Sequence, residues 1–167
     1  MISAPLLTIL LVAVACAACA TAAAARSPDE TPVAEPSARS RVIRPGAILV
    51  EATEFRSDKG RALIGLFHES KGFPDGKHSS RRVSVRIEKC GARAKFDGLA
   101  PGTYAVAILH DEDGDFEMST NFLGIPTEGY GTSNNARRRF GPPEWDKARF
   151  ELVSGATVVQ KIQLIYH

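Results

Sequence analysis

From Gly46 onward, apolar residues recur at every second position, and no long stretch repeats them every three or four. Val83, Val85 and Ile87 alternate with Ser84 and Arg86; Ala92, Ala94 and Phe96 alternate with Arg93 and Lys95. A period of two sets one group of side chains on one face of an extended strand. A chain patterned this way throughout is confined to all-β architectures. The segments that read as strands are 47–52, 62–68, 83–87, 92–96, 103–110, 148–153 and 157–166. Between them lies turn material: Asp58-Lys59-Gly60, Gly72-Phe73-Pro74-Asp75-Gly76, Asp97-Gly98 and Ser154-Gly155. The expectation is an antiparallel, Greek-key-like β-sandwich of about seven strands over residues 46–166. Glu144-Trp145-Asp146-Lys147, after Pro142-Pro143, has room for one turn of helix.

The N-terminus is different. Leu6–Val14 is an apolar run and Ala15–Ala25 is nearly all small residues. The run is too short for a stable span, which needs about 20 residues. It fits the core of a secretory signal over residues 1–25, although no Lys or Arg precedes it. Two processing routes are open. Ala13-Val14-Ala15-Cys16 looks like a lipoprotein cleavage box, with Cys19 a second lipidation candidate; cleavage after Ala23-Ala24-Ala25 is the other route. Residues 26–45, rich in Pro, Ser and charge, read as a disordered linker. Export places the domain in the periplasm, at the outer membrane if lipidated, or outside the cell, with a lipid anchor as its sole membrane contact. Either route leaves Cys90 without a partner in the mature domain, so no disulfide framework is implied.

The stretch from Pro101 to Asn135 concentrates the chemistry. A strand runs into Asp111, Glu112, Asp113 and Asp115, and then into a Gly/Asn/Thr-rich loop. A rigid strand that empties into clustered acids and a long loop is how scaffolds present sites. Asp111, Asp113 and Asp115 alternate like the first ligands of a Ca²⁺ loop, with His110 adjacent. Phe116 stands where the turn glycine belongs and Phe122 where the closing Glu belongs, so the loop is not an EF-hand. The bland alternative is a solvated polar turn. Glu128, Tyr130, Ser133, Asn134 and Asn135 offer aromatic, amide and hydroxyl groups suited to a carbohydrate or peptide, or else to capping the loop's own amides.

Other chemistry has less support. His68 and His110 both end strands, and if those strands are neighbours the two imidazoles and Asp111 could form the metal centre of a hydrolase. A histidine hydrogen-bonded to the acidic loop is the competing reading. Ser133 lacks a nucleophile-elbow context, so no catalytic residue is assigned and a non-enzymatic module is expected. The net charge of +2 demands no nucleic acid. Arg81-Arg82 and Arg137-Arg138-Arg139 come without an aromatic stacking platform and read as solvated loop charges.

Two motifs resemble known families. Phe96-x-Gly98-Leu99-x-Pro101-Gly102-Thr103-Tyr104-Ala105-Val106 resembles the turn and strand of prealbumin-like and carboxypeptidase-regulatory-like sandwiches. His110-Asp111-Glu112, then Asn121-Phe122-Leu123-Gly124-Ile125-Pro126-x-Glu128-Gly129-Tyr130-Gly131-x-Ser133-Asn134-Asn135-Ala136, then Gly141-Pro142-Pro143, resembles the bacterial domain of unknown function 2141 family. That resemblance covers about residues 46–166. It implies an exported, small β-sandwich of Gram-negative-type bacteria with no established activity. The partner stays open among a carbohydrate, a peptide and an envelope protein.

Overall fold

The structure is a computed structural model that describes residues 42–139 and 141–167. The signal segment, Cys16, Cys19 and the linker as far as residue 41 lie outside the described residues. The linker's last residues are tied down: Arg44 donates its amide to Ser154 Oγ at 2.9 Å and accepts from the Gly155 amide at 3.0 Å.

The domain is an all-β sandwich of two sheets. The smaller sheet holds β1 (Gly46–Thr53) at its centre, between β4 (Ala92–Leu99) and β8 (Thr157–Gln163). The larger runs in the order β3 (Arg81–Val85), β2 (Arg61–Phe67), β5 (Gly102–Asp111) and β6 (Tyr130–Thr132), with β7 (Phe150–Leu152) on the first residues of β5. A four-residue helix, α1 (Trp145–Ala148), precedes β7.

One pairing departs from the antiparallel expectation. β1 and β8 are parallel, Ala47 opposite Thr157 through Thr53 opposite Gln163. Parallel neighbours need a long crossover, and nearly the whole domain lies between these two strands. β6 is the other departure. It falls inside the segment that reads as a loop, and it links the sheets: Tyr130 exchanges backbone hydrogen bonds of 3.0 and 2.9 Å with Ile165, just past β8. Two glycines permit this approach. A Cβ on Gly129 would lie 2.3 Å from the Tyr166 ring, and one on Gly131 would lie 2.8 Å from Ile162 Cγ2.

The alternation explains the interior. Ile48, Val50, Phe96 and Ile162 of the small sheet meet Ile64, Leu66, Val106 and Ile108 of the large one, all essentially excluded from solvent. β2 is unusual in being buried on both faces: every residue from Ala62 to Phe67 is buried. A continuous apolar strand signals cover on both sides. Here the loops around residues 68–80 and 112–129 supply the outer cover.

Candidate functional site

Two places on the large sheet have the makings of a site: the acidic turn after β5, and a cleft on the sheet's outer face.

At the turn, the Asp111 carboxylate is buried and accepts the amides of Gly114 at 2.7 Å and Phe116 at 3.3 Å. Asp113 accepts from the Asp115 amide at 3.2 Å, and Asp115 from the Glu117 amide at 2.7 Å. One oxygen from each of Asp111, Asp113 and Asp115 lies within 4.8 Å of the others. Ca²⁺–oxygen distances of about 2.3–2.6 Å would let three such oxygens share one ion. Asp113 and Asp115 face solvent.

His110 stands apart from this cluster. It is fully buried on the sandwich side of the sheet. Its Nε2 lies 2.8 Å from the Lys59 carbonyl, which can only accept, so Nε2 carries the proton. Nδ1 then accepts from the Tyr166 hydroxyl at 2.7 Å, and that oxygen in turn accepts from the Arg56 amide. Burial raises the Tyr166 phenol's pKa, which keeps it a donor. Both imidazole nitrogens are therefore engaged within the fold. His68 is remote, because β2 and β5 run antiparallel: Ala62 faces His110, while Phe67, next to His68, faces Ala105 at the other end. The structure does not bring the two histidines together.

Beside His110, Glu112 takes a bidentate pair of bonds from Arg56, at 2.8 and 2.5 Å. That hydrogen bond holds the Glu112 carboxyl below the usual range, against the opposing effect of burial. Glu128 is buried, and its two oxygens accept the amides of Glu112 at 2.8 Å and Ser119 at 3.1 Å. It pins both ends of the acidic turn.

The rest of the loop motif is largely spent on the fold. Ser133 Oγ is buried; it accepts the Val106 amide at 2.9 Å and donates to the Ala148 carbonyl at 2.7 Å. Asn134, at φ 57°, reaches the carbonyls of Lys147, Ala148 and Arg149 and so caps α1. Asn135, at φ 50°, bonds Gln163 and Lys161 and lengthens the edge of β8. Asn adopts this left-handed backbone at lower cost than most residues. Of the five residues in the predicted binding loop, Tyr130 is the one that lines an open space.

That space is a cleft of about 1010 Å³ on the outer face of the large sheet. Its floor is Leu63, Gly65, Ala107 and Leu109, with Tyr130 and Thr132 beyond. One wall is Phe73-Pro74, where Phe73 stacks edge-on against Phe67 and Trp145 at 5.2 and 5.6 Å. The facing wall is Phe116, Met118 and Ile125, from the loop behind the acidic turn. Lys77 and Glu117 tie the two walls together with a 2.7 Å ion pair. The alternation pattern singles out none of these floor residues. Gly65, a glycine inside an otherwise apolar strand, marks a close approach to the backbone, and the structure fills it with Ser79 and Phe67, 3.1 and 3.2 Å from where a Cβ would stand.

Residues 50–160 match the family described as "Uncharacterized protein conserved in bacteria (DUF2141)". The chain belongs to that family. No curated protein and no solved structure matches it. The DUF2141 match spans the acidic turn, the cleft floor and most of the strands of both sheets. Among the described residues of this DUF2141 protein, no helix is long and apolar enough to cross a membrane, and Cys90 is an exposed free thiol.

Proposed function

We propose that this chain is an exported, non-enzymatic binding module that takes a small, mainly apolar ligand in the outer cleft. The observation that carries the reading is the cleft itself. The sheet face is walled at its sides, and on its floor Ala107 and Leu109 of β5 stay half-buried. Pockets of this size, apolar with a few polar groups at the edge, are the usual form of small-molecule sites. Ser133, Asn134 and Asn135 are committed to backbone partners, which favours an apolar ligand over a carbohydrate. Export rests on the N-terminal apolar run and its small-residue flank.

The test is a fluorescence titration with Nile red, a neutral dye that brightens on leaving water. Native protein should enhance and blue-shift its emission. Ala107→Trp, which fills the floor from a half-buried position, should abolish the effect while the melting temperature stays within a few degrees. Unchanged emission with native protein would remove the proposal.

A second element of the same reading is Ca²⁺ at the acidic turn, favoured by the convergence of Asp111, Asp113 and Asp115. A cation that binds only the folded state, at 100 times its Kd, adds about 2.7 kcal/mol of stability. For a domain of this size the melting temperature should rise by roughly 5–10 °C in millimolar Ca²⁺ relative to chelator. Asp113→Ala should cancel the rise. No rise in the native protein would leave the turn a solvated one, and a rise that survives Asp113→Ala would place the ion elsewhere.

A further inference from the structure

Exposed carbon is concentrated in one loop. Of the nine large apolar side chains exposed among the described residues, five lie between positions 116 and 125: Phe116, Met118, Phe122, Leu123 and Ile125. Phe122 is 95% exposed and Leu123 67%. Apolar residues scattered over a surface need no explanation, whereas a cluster of them marks a contact. Within this loop, residues 119–127 form a small hairpin: Thr120 bridges Pro126, and the Ser119 carbonyl accepts the Thr127 amide at 2.9 Å. Phe122 and Leu123 stand at its turn. A Cβ on the neighbouring Gly124 would meet nothing within 4 Å, so open space lies beside the turn. Leu123 and Ile125 edge the cleft, but Phe122 does not line it.

The chemistry of the tip restricts what can cover it. No charged side chain occurs from Met118 to Thr127. The tip also spends its amide donors on itself. Asn121 Oδ1 accepts the amides of Leu123 at 2.9 Å and Ile125 at 3.0 Å. Asn121 donates its own amide to the Ile125 carbonyl, and Gly124 donates to the Asn121 carbonyl, both at 2.9 Å. Pro126 has no amide to spend. Protein partners recognise one another through about one hydrogen bond per 100–200 Å², and this tip has few donors to give. A lipid surface asks the reverse, because an unpartnered donor costs most where water is absent. Charge returns at the base of the hairpin, where Ser119 Oγ lies 3.4 Å from the Asp113 carboxylate. From Ser119 to Phe122 the extended chain reaches roughly 10 Å. Interfacial elements bury their apolar faces to about 5–10 Å.

We propose that the 119–127 hairpin inserts its tip into the surface of a phospholipid bilayer, with Phe122 and Leu123 at the acyl boundary and the acidic turn held out among the headgroups. Asn121 closes the turn, so the two side chains project from a backbone whose donors are satisfied. At this depth the remaining carbonyls stay within reach of headgroup water. Burial of carbon carries the attachment, so it needs no anionic lipid. It also withstands salt, which weakens only contacts between charges. The contact is separate from the cleft and from any lipid at the N-terminus.

The test is the fluorescence of full-length Phe122→Trp mixed with phosphatidylcholine vesicles in the presence of a chelator. Its emission should shift to the blue and be quenched by lipid brominated along the acyl chains. Native protein, whose sole tryptophan is Trp145, should show neither change. This local signal separates insertion of the tip from attachment through the N-terminal apolar run. Adding Leu123→Asp should raise the lipid concentration needed for half the shift by about tenfold or more, because a carboxylate must then enter the interface. Adding Val153→Asp, at a position 65% exposed but outside the hairpin, should leave it unchanged. Emission that vesicles do not move, equal losses from the two aspartates, or a shift abolished by molar salt would overturn the proposal. A blue shift that grows with protein concentration in the absence of lipid would give the tip to a second copy of the chain instead. Phe122→Asp should leave Nile red enhancement intact, and its loss would make the hairpin part of the cleft rather than a membrane contact.

Discussion

The two faces of the large sheet are made from the same two strands and have opposite characters. The inner face presents Ile64, Leu66, Val106 and Ile108, which interdigitate with the small sheet and leave no solvent access. The outer face presents Leu63, Gly65, Ala107 and Leu109, and its cover is incomplete. One step along the chain separates close packing from open space. The difference lies in side-chain volume: branched residues point inward, while Gly65 and Ala107 stand at the outer centre. An inner residue is held by its neighbours, whereas an outer residue is available to something else.

Substitutions can separate the two faces. The largest effect is expected at Ile64→Ala, which removes fully buried carbon and should cost about 2–5 kcal/mol in urea unfolding. Leu109→Ala on the outer face, half-buried, should cost clearly less and should act mainly on ligand affinity. Equal losses at the two positions would mean that the outer face is as tightly packed as the inner, and the contrast would fail. Next is Ser133→Ala, at the corner where β6 gives way to the chain leading to α1. It strands the Val106 amide and should cost about 1–3 kcal/mol.

A smaller effect follows from Glu112, whose folded carboxyl has a lowered pKa. Its contribution is complete above the ordinary Glu value of about 4.3 and is lost as pH falls through the lower folded value. Because Arg56 is half exposed, solvent screening limits the contribution to about 0.5–1 kcal/mol at neutral pH. Glu112→Gln should therefore differ from native protein at pH 7 and converge with it below the carboxylate range in a pH series of denaturant melts. Last is Lys77→Ala, which cuts the tie between the cleft walls. The pair is solvent-exposed, so the melting temperature should not move; the measurement that should respond is the rate of Nile red binding in stopped flow, which should rise.

The same contrast marks how far the sequence could be read. Strict alternation in β3 and β4 located the core-facing residues directly, and β1, β2, β5 and β8 were equally plain as apolar runs. β6 was not, because three residues, Tyr130-Gly131-Thr132, fall below the length at which alternation can be recognised. The parallel match of β1 with β8 is a long-range choice with no local signature. Of the site, the Asp111, Asp113 and Asp115 convergence follows from their spacing alone. The engagement of His110 with Tyr166 and Lys59 does not, because it depends on which strands meet. The two-sided burial of β2 is written in its unbroken apolar run, but the half-buried floor at Ala107 and Leu109 depends on where the loops lie.

β1, the middle strand of the small sheet, has a time dimension. Its antiparallel partner β4 follows within a few dozen residues, but its parallel partner β8 comes after every other strand among the described residues. About a hundred residues separate the end of β1 from the start of β8, so at ribosomal rates of roughly 5–20 residues per second the edge of β1 waits on the order of 5–20 seconds for its mate. Through that interval the chain carries a hydrogen-bonding edge along Ala47–Thr53 that nothing of its own can cover, and its folding is dominated by its most distant contact. A ribosome-bound fragment ending before Thr157 therefore has no finished sandwich to adopt. Closure of the small sheet therefore waits on the synthesis of β8.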